Sequence, residues 1–163
     1  MHTLVIHDIR STHNVGAMLR TAECFGLKTV YISGYSPYPR VQNDERLPHI
    51  ADKLQAAIAK TSLGAEQNIT VIHKETIEEV LQELKSQNYK ICALEQHPRA
   101  QPIDAWHPTL PTALIVGREV EGIDASILDR VDEIVEIPMR GLKESFNVSV
   151  AAGIALYQAT CKT

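Results

Sequence analysis

Long apolar runs are missing from this chain of 163 residues. None approaches the roughly 20 residues that a membrane-spanning helix needs, so no membrane partner is expected. Cysteine is scarce. Cys24, Cys92 and Cys161 are far apart, odd in number and form no Cys-x-x-Cys pair, which leaves out the common metal and redox motifs. Small buried thiols in a reducing cytoplasm are the expectation. The first eight residues, Met1 to Asp8, lack the basic region and cleavage site of a signal peptide. The sequons at Asn68 and Asn147 are therefore empty matches.

Several chemical signatures are absent too. The sequence has no Gly-x-Gly-x-x-Gly and no Gly-Lys-Ser or Gly-Lys-Thr, which excludes a dinucleotide fingerprint and a P-loop. Its seven histidines are scattered without His-x-x-Glu or His-Glu-x-x-His spacing, so no metal is expected. A Gly-x-Ser-x-Gly elbow is missing as well. His7, Asp8 and Ser11 lie too close along the chain to argue for a nucleophilic triad.

Net charge is −4 and the pI is about 6.0. That balance counts against a nucleic-acid partner, because neutralising phosphates supplies most non-specific affinity. A local basic surface is what binding requires, however. Arg10, Arg20, Lys28, Arg40 and Arg46 all fall in the first third of the chain, beside Asp8, Glu23, Asp44 and Glu45. Composition leaves a basic patch and a mixed solvated surface equally open.

What is present is an ordinary globular composition, 44% hydrophobic and 22% charged, in a length that suits one domain over residues 1–163. Strand-like and helix-like segments alternate. Strands are expected at residues 3–9, 29–33, 69–73, 90–94, 112–116 and 133–137. Helices are expected at residues 14–25, from 48 or 49 to 59, 77–84, 125–130 and 145–161. Gly26 is placed to close the first helix. The prolines at 37 and 39, and the four from Pro98 to Pro111, mark irregular segments. This order argues an α/β domain with a mostly parallel sheet and helices on both faces. Ligands of such sheets bind beyond the carboxyl ends of the strands. Residues 8–13, 95–98, 117–122 and 138–144 are therefore the loops of interest.

Three segments carry candidate chemistry. Asn14 opens the first helix beside Ser11 and Thr12, all capping residues. Arg20 on that helix has small or apolar neighbours in Gly16, Ala17 and Cys24, so it should snorkel, pair or serve a site. Gly117-Arg118-Glu119-Val120-Glu121-Gly122 follows a strand as a tight acidic loop. It would repel a pyrophosphate but suits a ribose hydroxyl or a cation; a solvated turn explains it equally. Finally, Ile137-Pro138-Met139 leads through a glycine loop to Ser145-Phe146-Asn147-Val148-Ser149 and a helix apolar nearly all round. Such a helix should be buried against the sheet or a partner. Capping accounts for Ser145, whereas Asn147 is expected one turn inside the helix, where capping does not explain it.

Together these segments resemble the SpoU (TrmH-type) family of SPOUT methyltransferases, in the family's order and from His7 to Gln158. Asn14, Gly16 and Arg20 match its first motif. Gly117, Glu119 and Gly122 match the second. Ile137 to Met139 and Ser145 to Ser149 match the third. Phe146 stands where leucine is usual, and Arg118 where many members have asparagine. The resemblance implies a deep C-terminal trefoil knot (the α/β knot), a topology that periodicity cannot reveal. It also implies a homodimer in which a partner's first motif completes each site, and a minimal member without a separate RNA-recognition domain. The implied activity is S-adenosylmethionine-dependent methylation of an RNA ribose 2′-hydroxyl, with tRNA favoured over rRNA. The alternative is a knotted RNA-binding or assembly protein without turnover. Groups at Leu94, Gly117, Ile137, Met139, Ser145, Phe146 and Asn147 would hold the cofactor. Ser145 and Asn147 would also orient the reacting ribose. Glu119 would fix its loop or Arg20. Asn14, from the other subunit, would bind phosphate or position the arginine, and Arg20 would act at the 2′-oxygen.

Overall fold

Alternating apolar residues in the strands are buried on both faces of a single sheet. In the computed structural model, which describes residues 2–161, β1 (Thr3–His7) and β2 (Thr29–Ser33) flank α1 (Thr12–Cys24) in sequence. Then come α2 (Pro48–Ser62), β3 (Thr70–Lys74), α3 (Ile77–Ser86), β4 (Lys90–Leu94) and β5 (Gln101–Pro102). The chain continues through β6 (Thr112–Val116), α4 (Ala125–Leu128), β7 (Glu133–Glu136) and α5 (Val148–Cys161). The strand order is β3-β2-β1-β6-β4-β7-β5. Every neighbouring pair is parallel.

The period-two pattern divides the core. Leu4, Ile6, Val30, Ile32 and Leu114 face α1, α2 and α5, where they meet Met18, Leu19, Ile58 and Leu156. Val5, Tyr31, Ile91 and Ile115 face α3 and α4, against Val80, Leu81, Leu84 and Ile127. Buried on both faces, such strands read as nearly continuous apolar runs. Among the described residues no helix is long and apolar enough to cross a membrane.

Two glycines decide how closely elements approach. Gly16 on α1 lies under α2: a Cβ there would sit 2.1 Å from Thr61 Oγ1 and 2.4 Å from Ile58 O. Gly26 adopts φ +76°, and the N–H groups of Gly26 and Leu27 close α1 onto Glu23 O and Ala22 O.

Three expectations change. Cys24 and Cys161 are exposed, so Cys92 alone is the buried thiol expected of all three. The irregular stretch before β6 contains the seventh strand, β5, paired through Gln101 and Pro102 with β7 at the sheet edge. Two residues are too few to show a pattern, and proline is tolerated at an edge. The last helix starts at Val148 rather than Ser145. Ser145 therefore lies outside it, and Asn147 is its cap.

Candidate functional site

Because the sheet is parallel, the carboxyl ends of β1, β4, β6 and β7 share one edge. Their loops line an open cleft of about 170 Å³. One wall is the loop after β6, with Gly117, Glu119 and Glu121. Facing it are Ile137, Met139, Ser145 and Phe146, from the segment joining β7 to α5. Leu94 and Glu95, at the end of β4, lie between. The lining is divided by chemistry. Leu94, Val116, Ile137, Met139 and Phe146 are apolar, whereas Glu95, Glu119, Glu121 and Glu136 bring four carboxylates. Seven of the ten residues singled out from the sequence thus line one cleft: Leu94, Gly117, Glu119, Ile137, Met139, Ser145 and Phe146.

Two more join it through hydrogen bonds. β1 lies beside β6, so the N-terminus of α1 abuts the loop after β6. Asn14 Nδ2 donates to Glu119 Oε1 at 3.2 Å, and Asn147 Nδ2 donates to Asn14 Oδ1 at 3.2 Å. A chain Glu119–Asn14–Asn147 therefore links all three sequence motifs within one subunit. The sequence resemblance implied an Asn14 supplied by a second subunit; here Asn14 reaches its own chain's Glu119 and Asn147.

Asn147 has a further task. Its Oδ1 accepts from Ser149 N at 2.9 Å, and its carbonyl accepts from Val150 N and Ala151 N. It is the N-cap of α5, which accounts for a polar residue before so apolar a helix. Ser145 takes no part in that cap and stands exposed on the cleft.

Glu119 also accepts from the backbone N–H groups of Arg10 and Ser11, each at 3.4 Å. Burial by itself would raise its carboxyl pKa. Hydrogen bonds from its own backbone N–H, Asn14 and the Arg10 and Ser11 amides outweigh burial and hold it below the ordinary value. Within its own chain Glu119 ties its loop to the start of α1.

Glu95 was not singled out from the sequence, although its loop was. Its Oε2 accepts from Ile123 N at 2.9 Å, and its Oε1 from Gln96 N at 2.9 Å. A Cβ on Gly122, at φ +71°, would lie 2.3 Å from Glu95 Oε2. An acid directly after a strand was the available signal. Arg118 adds a clasp by pairing with Asp124 across the turn, while its carbonyl accepts from Gly122 N.

Arg20 is the exception. It is exposed on α1, in a shallow concavity lined by Ala17, Thr21, Cys24, Lys60, Thr61 and Leu63, none of them acidic. It does not line the cleft of its own chain. Beside this face, α5 exposes Val150 at 50% and Tyr157 at 51%. The Tyr157 ring lies 6.4 Å from that of Phe25.

The profile of the SpoU rRNA Methylase family matches residues 1–157. Over 156 residues the chain is 32% identical to the 23S rRNA (guanosine-2′-O-)-methyltransferase RlmB of Xylella fastidiosa, covering 96% of this chain and 57% of that protein. It is 28% identical over 155 residues to the tRNA (guanosine(18)-2′-O)-methyltransferase of Borreliella burgdorferi, covering 95% and 64%. The crystal structure of an AdoMet-bound rRNA methyltransferase from Sinorhizobium meliloti superposes with a TM-score of 0.84 over 99% of this chain and 56% of that one. At 18% identity that likeness is one of fold. The chain spans less than two thirds of the length of these curated relatives.

Proposed function

The chain belongs to the SpoU rRNA methylase family, and from that premise we propose that it transfers a methyl group from S-adenosylmethionine to a ribose 2′-hydroxyl of RNA, tRNA before rRNA. The observation that carries this reading is the hydrogen-bonded chain Glu119–Asn14–Asn147, which gathers the three motifs at the mouth of one cleft. The relatives named for 2′-O-methylation of rRNA and of tRNA support the reaction type.

The residues present fit the cofactor. The cleft is concave and combines apolar lining with a few polar groups, as small-molecule sites do. Leu94, Ile137, Met139 and Phe146 offer apolar surface for a purine ring, and the carboxylates suit a cationic ligand. Bound there, S-adenosylmethionine supplies a methyl group already activated by a positive sulfur, so the protein's task is placement and charge. Gly117 lets the cleft wall form without a side chain in the way. Ser145, exposed on the cleft, offers a hydroxyl to the cofactor or the ribose. Asn147 and Glu119 hold the two walls through Asn14. Alignment of reacting groups of this kind contributes several kcal/mol to a displacement.

Arg20 acts in a second copy's site. Its exposure away from its own cleft, and the apolar side chains of α5 beside it, support a homodimer in which Arg20, but not Asn14, crosses the interface. The family's C-terminal knot belongs to the same reading, on the support of family membership. So does a reducing compartment, on the support of three free cysteines. An arginine does not deprotonate in proteins. Arg20 therefore serves as a fixed cation that stabilises the developing 2′-alkoxide.

The test combines calorimetry with S-adenosylmethionine and digestion of RNA methylated in vitro, with nucleosides identified by mass spectrometry. A 2′-O-methyl nucleoside is expected, and Arg20→Ala should abolish it while cofactor binding survives. A methylated base, or a chain that fails to bind S-adenosylmethionine, would overturn the reading. The second outcome would leave a non-catalytic RNA-binding protein.

A further inference from the structure

Beyond the cleft, two tyrosines of the loop from β2 to α2 pair with arginines in different surroundings, Tyr38 with Arg46 of the same loop and Tyr35 with Arg10 of the segment between β1 and α1. In the first, Arg46 Cζ lies 3.5 Å from the Tyr38 ring centre, and His73 stacks on that ring at 3.8 Å and 16°. Arg46 donates to Tyr38 O, Pro39 O and Asp44, and its side chain is only 15% exposed. Its donors are all engaged in shaping the loop. In the second pair, Arg10 Cζ lies 5.9 Å from the Tyr35 ring centre. Tyr35 is 51% exposed and the Arg10 side chain 73%. Among the described residues these two side chains meet each other and, at 3.9 Å from Arg10, Glu121 Oε1, and both remain exposed to solvent.

The backbone beneath the second pair is tightly built. Asp8 adopts φ 54° and Gly34 φ 66°. Tyr35 N donates to Asp8 Oδ1 at 3.1 Å, and a Cβ on Gly34 would fall 1.9 Å from that oxygen. Left-handed backbone at a non-glycine residue costs energy and persists where its surroundings enforce it. The pair also borders the cleft, since Arg10 N donates to Glu119 and its guanidinium lies 3.9 Å from Glu121 Oε1.

We propose that Tyr35, flanked by Arg10, is a stacking platform for a base of the RNA next to the ribose being methylated. The proposal rests on the reading of the cleft given above. Unpaired bases stack on aromatic rings and on guanidinium planes, and that is how proteins grip single-stranded RNA. A phosphate is the poorer occupant. Glu119 and Glu121 bring negative charge to Arg10, which repels phosphate but leaves base stacking unaffected. The platform also reconciles the chain's net charge of −4 with an RNA partner, because stacking does not depend on a basic surface.

The experiment uses the full chain with unmodified transcripts of bulk tRNA and rRNA, measuring RNA retention over a range of salt and S-adenosylmethionine binding in parallel. Tyr35→Ala should weaken RNA binding about tenfold. Cofactor binding should stay unchanged, as should the slope of log affinity against log salt. Tyr35→Phe keeps the ring and should bind RNA like the wild type. A short single-stranded RNA carrying 2-aminopurine should lose fluorescence on binding to the wild type and not to Tyr35→Ala. If Tyr35→Ala binds RNA as well as the wild type, or Tyr35→Phe loses as much, the platform is wrong and the cleft reading stands. A wild-type chain that retains neither RNA sinks both.

Discussion

The two walls of the cleft are built on opposite plans. The loop after β6 is tied at both shoulders: Glu95 takes Ile123 N on one side, and Glu119 takes Arg10 N, Ser11 N and Asn14 on the other. Arg118 and Asp124 clasp its turn. The opposing segment is exposed at every residue from 140 to 147, with Leu142 wholly in solvent. Gln96 Nε2, donating to Glu144 O at 2.5 Å, reaches across to it. The difference teaches how a small domain divides the work of binding. A wall fixed by carboxylates sets the position of a ligand, and a wall with few ties can adapt to it.

Removing the fixed wall's geometry should have the largest effect. In Gly117→Ala the new Cβ meets Ile123 Cγ1 at 2.6 Å and Gly122 O at 2.9 Å, and a carbonyl in the backbone cannot swing away. We expect a loss of about 1–3 kcal/mol, lowering Tm by several degrees, together with lost cofactor binding. A normal calorimetric titration would show that this wall is not rigid.

Glu119→Ala comes next. It leaves Asn14 and two amides without their acceptor, at about 1–2 kcal/mol. Its pH signature is specific. The folded carboxyl lies below its ordinary value of 4.5, so its stabilisation is complete above that value and fades as pH falls through the folded one. Thermal melts at falling pH should show Glu119→Gln losing less stability than the wild type over that window. Parallel curves would mean that the carboxylate's charge is not what braces the loop.

Glu95→Ala should cost about 1 kcal/mol by freeing Ile123 N. Cofactor affinity should fall more than stability, if positioning is its role; equal binding by both proteins would assign the brace to Glu119 alone. The smallest effect belongs to the opposite wall. Leu142→Ser should change stability by less than about 0.5 kcal/mol in denaturant melts. A larger loss would mean that the exposed segment has partners in solution.

Much of this was legible in the sequence because it is local. Strands at 90–94 and 112–116 are visible as short apolar runs, and Gly26 announces the end of α1. Six of the seven cleft residues lie in the motifs that carry the family resemblance, and Leu94 was implied by that resemblance alone. Asn147 was misplaced because helix boundaries depend on which residue's oxygen meets the first free N–H groups, and Ser145, Asn147 and Ser149 are all capable. β5 was missed because two residues carry no period. Glu95 was passed over because a single acid after a strand has no partner until the sheet order brings Ile123 beside it.

The sequence alone determined the α/β class, the parallel sheet and the residue types available for binding, since apolar periodicity and turn chemistry act over a few positions. Tertiary structure decided which groups meet. Strand order placed β1 against β6, and so brought Asn14 to Glu119 across 105 positions and to Asn147 across 133. It also left Arg20 facing outward from its own cleft. A hydrogen bond of about 3 Å between residues so far apart is fixed by packing, and no pattern along the chain encodes it.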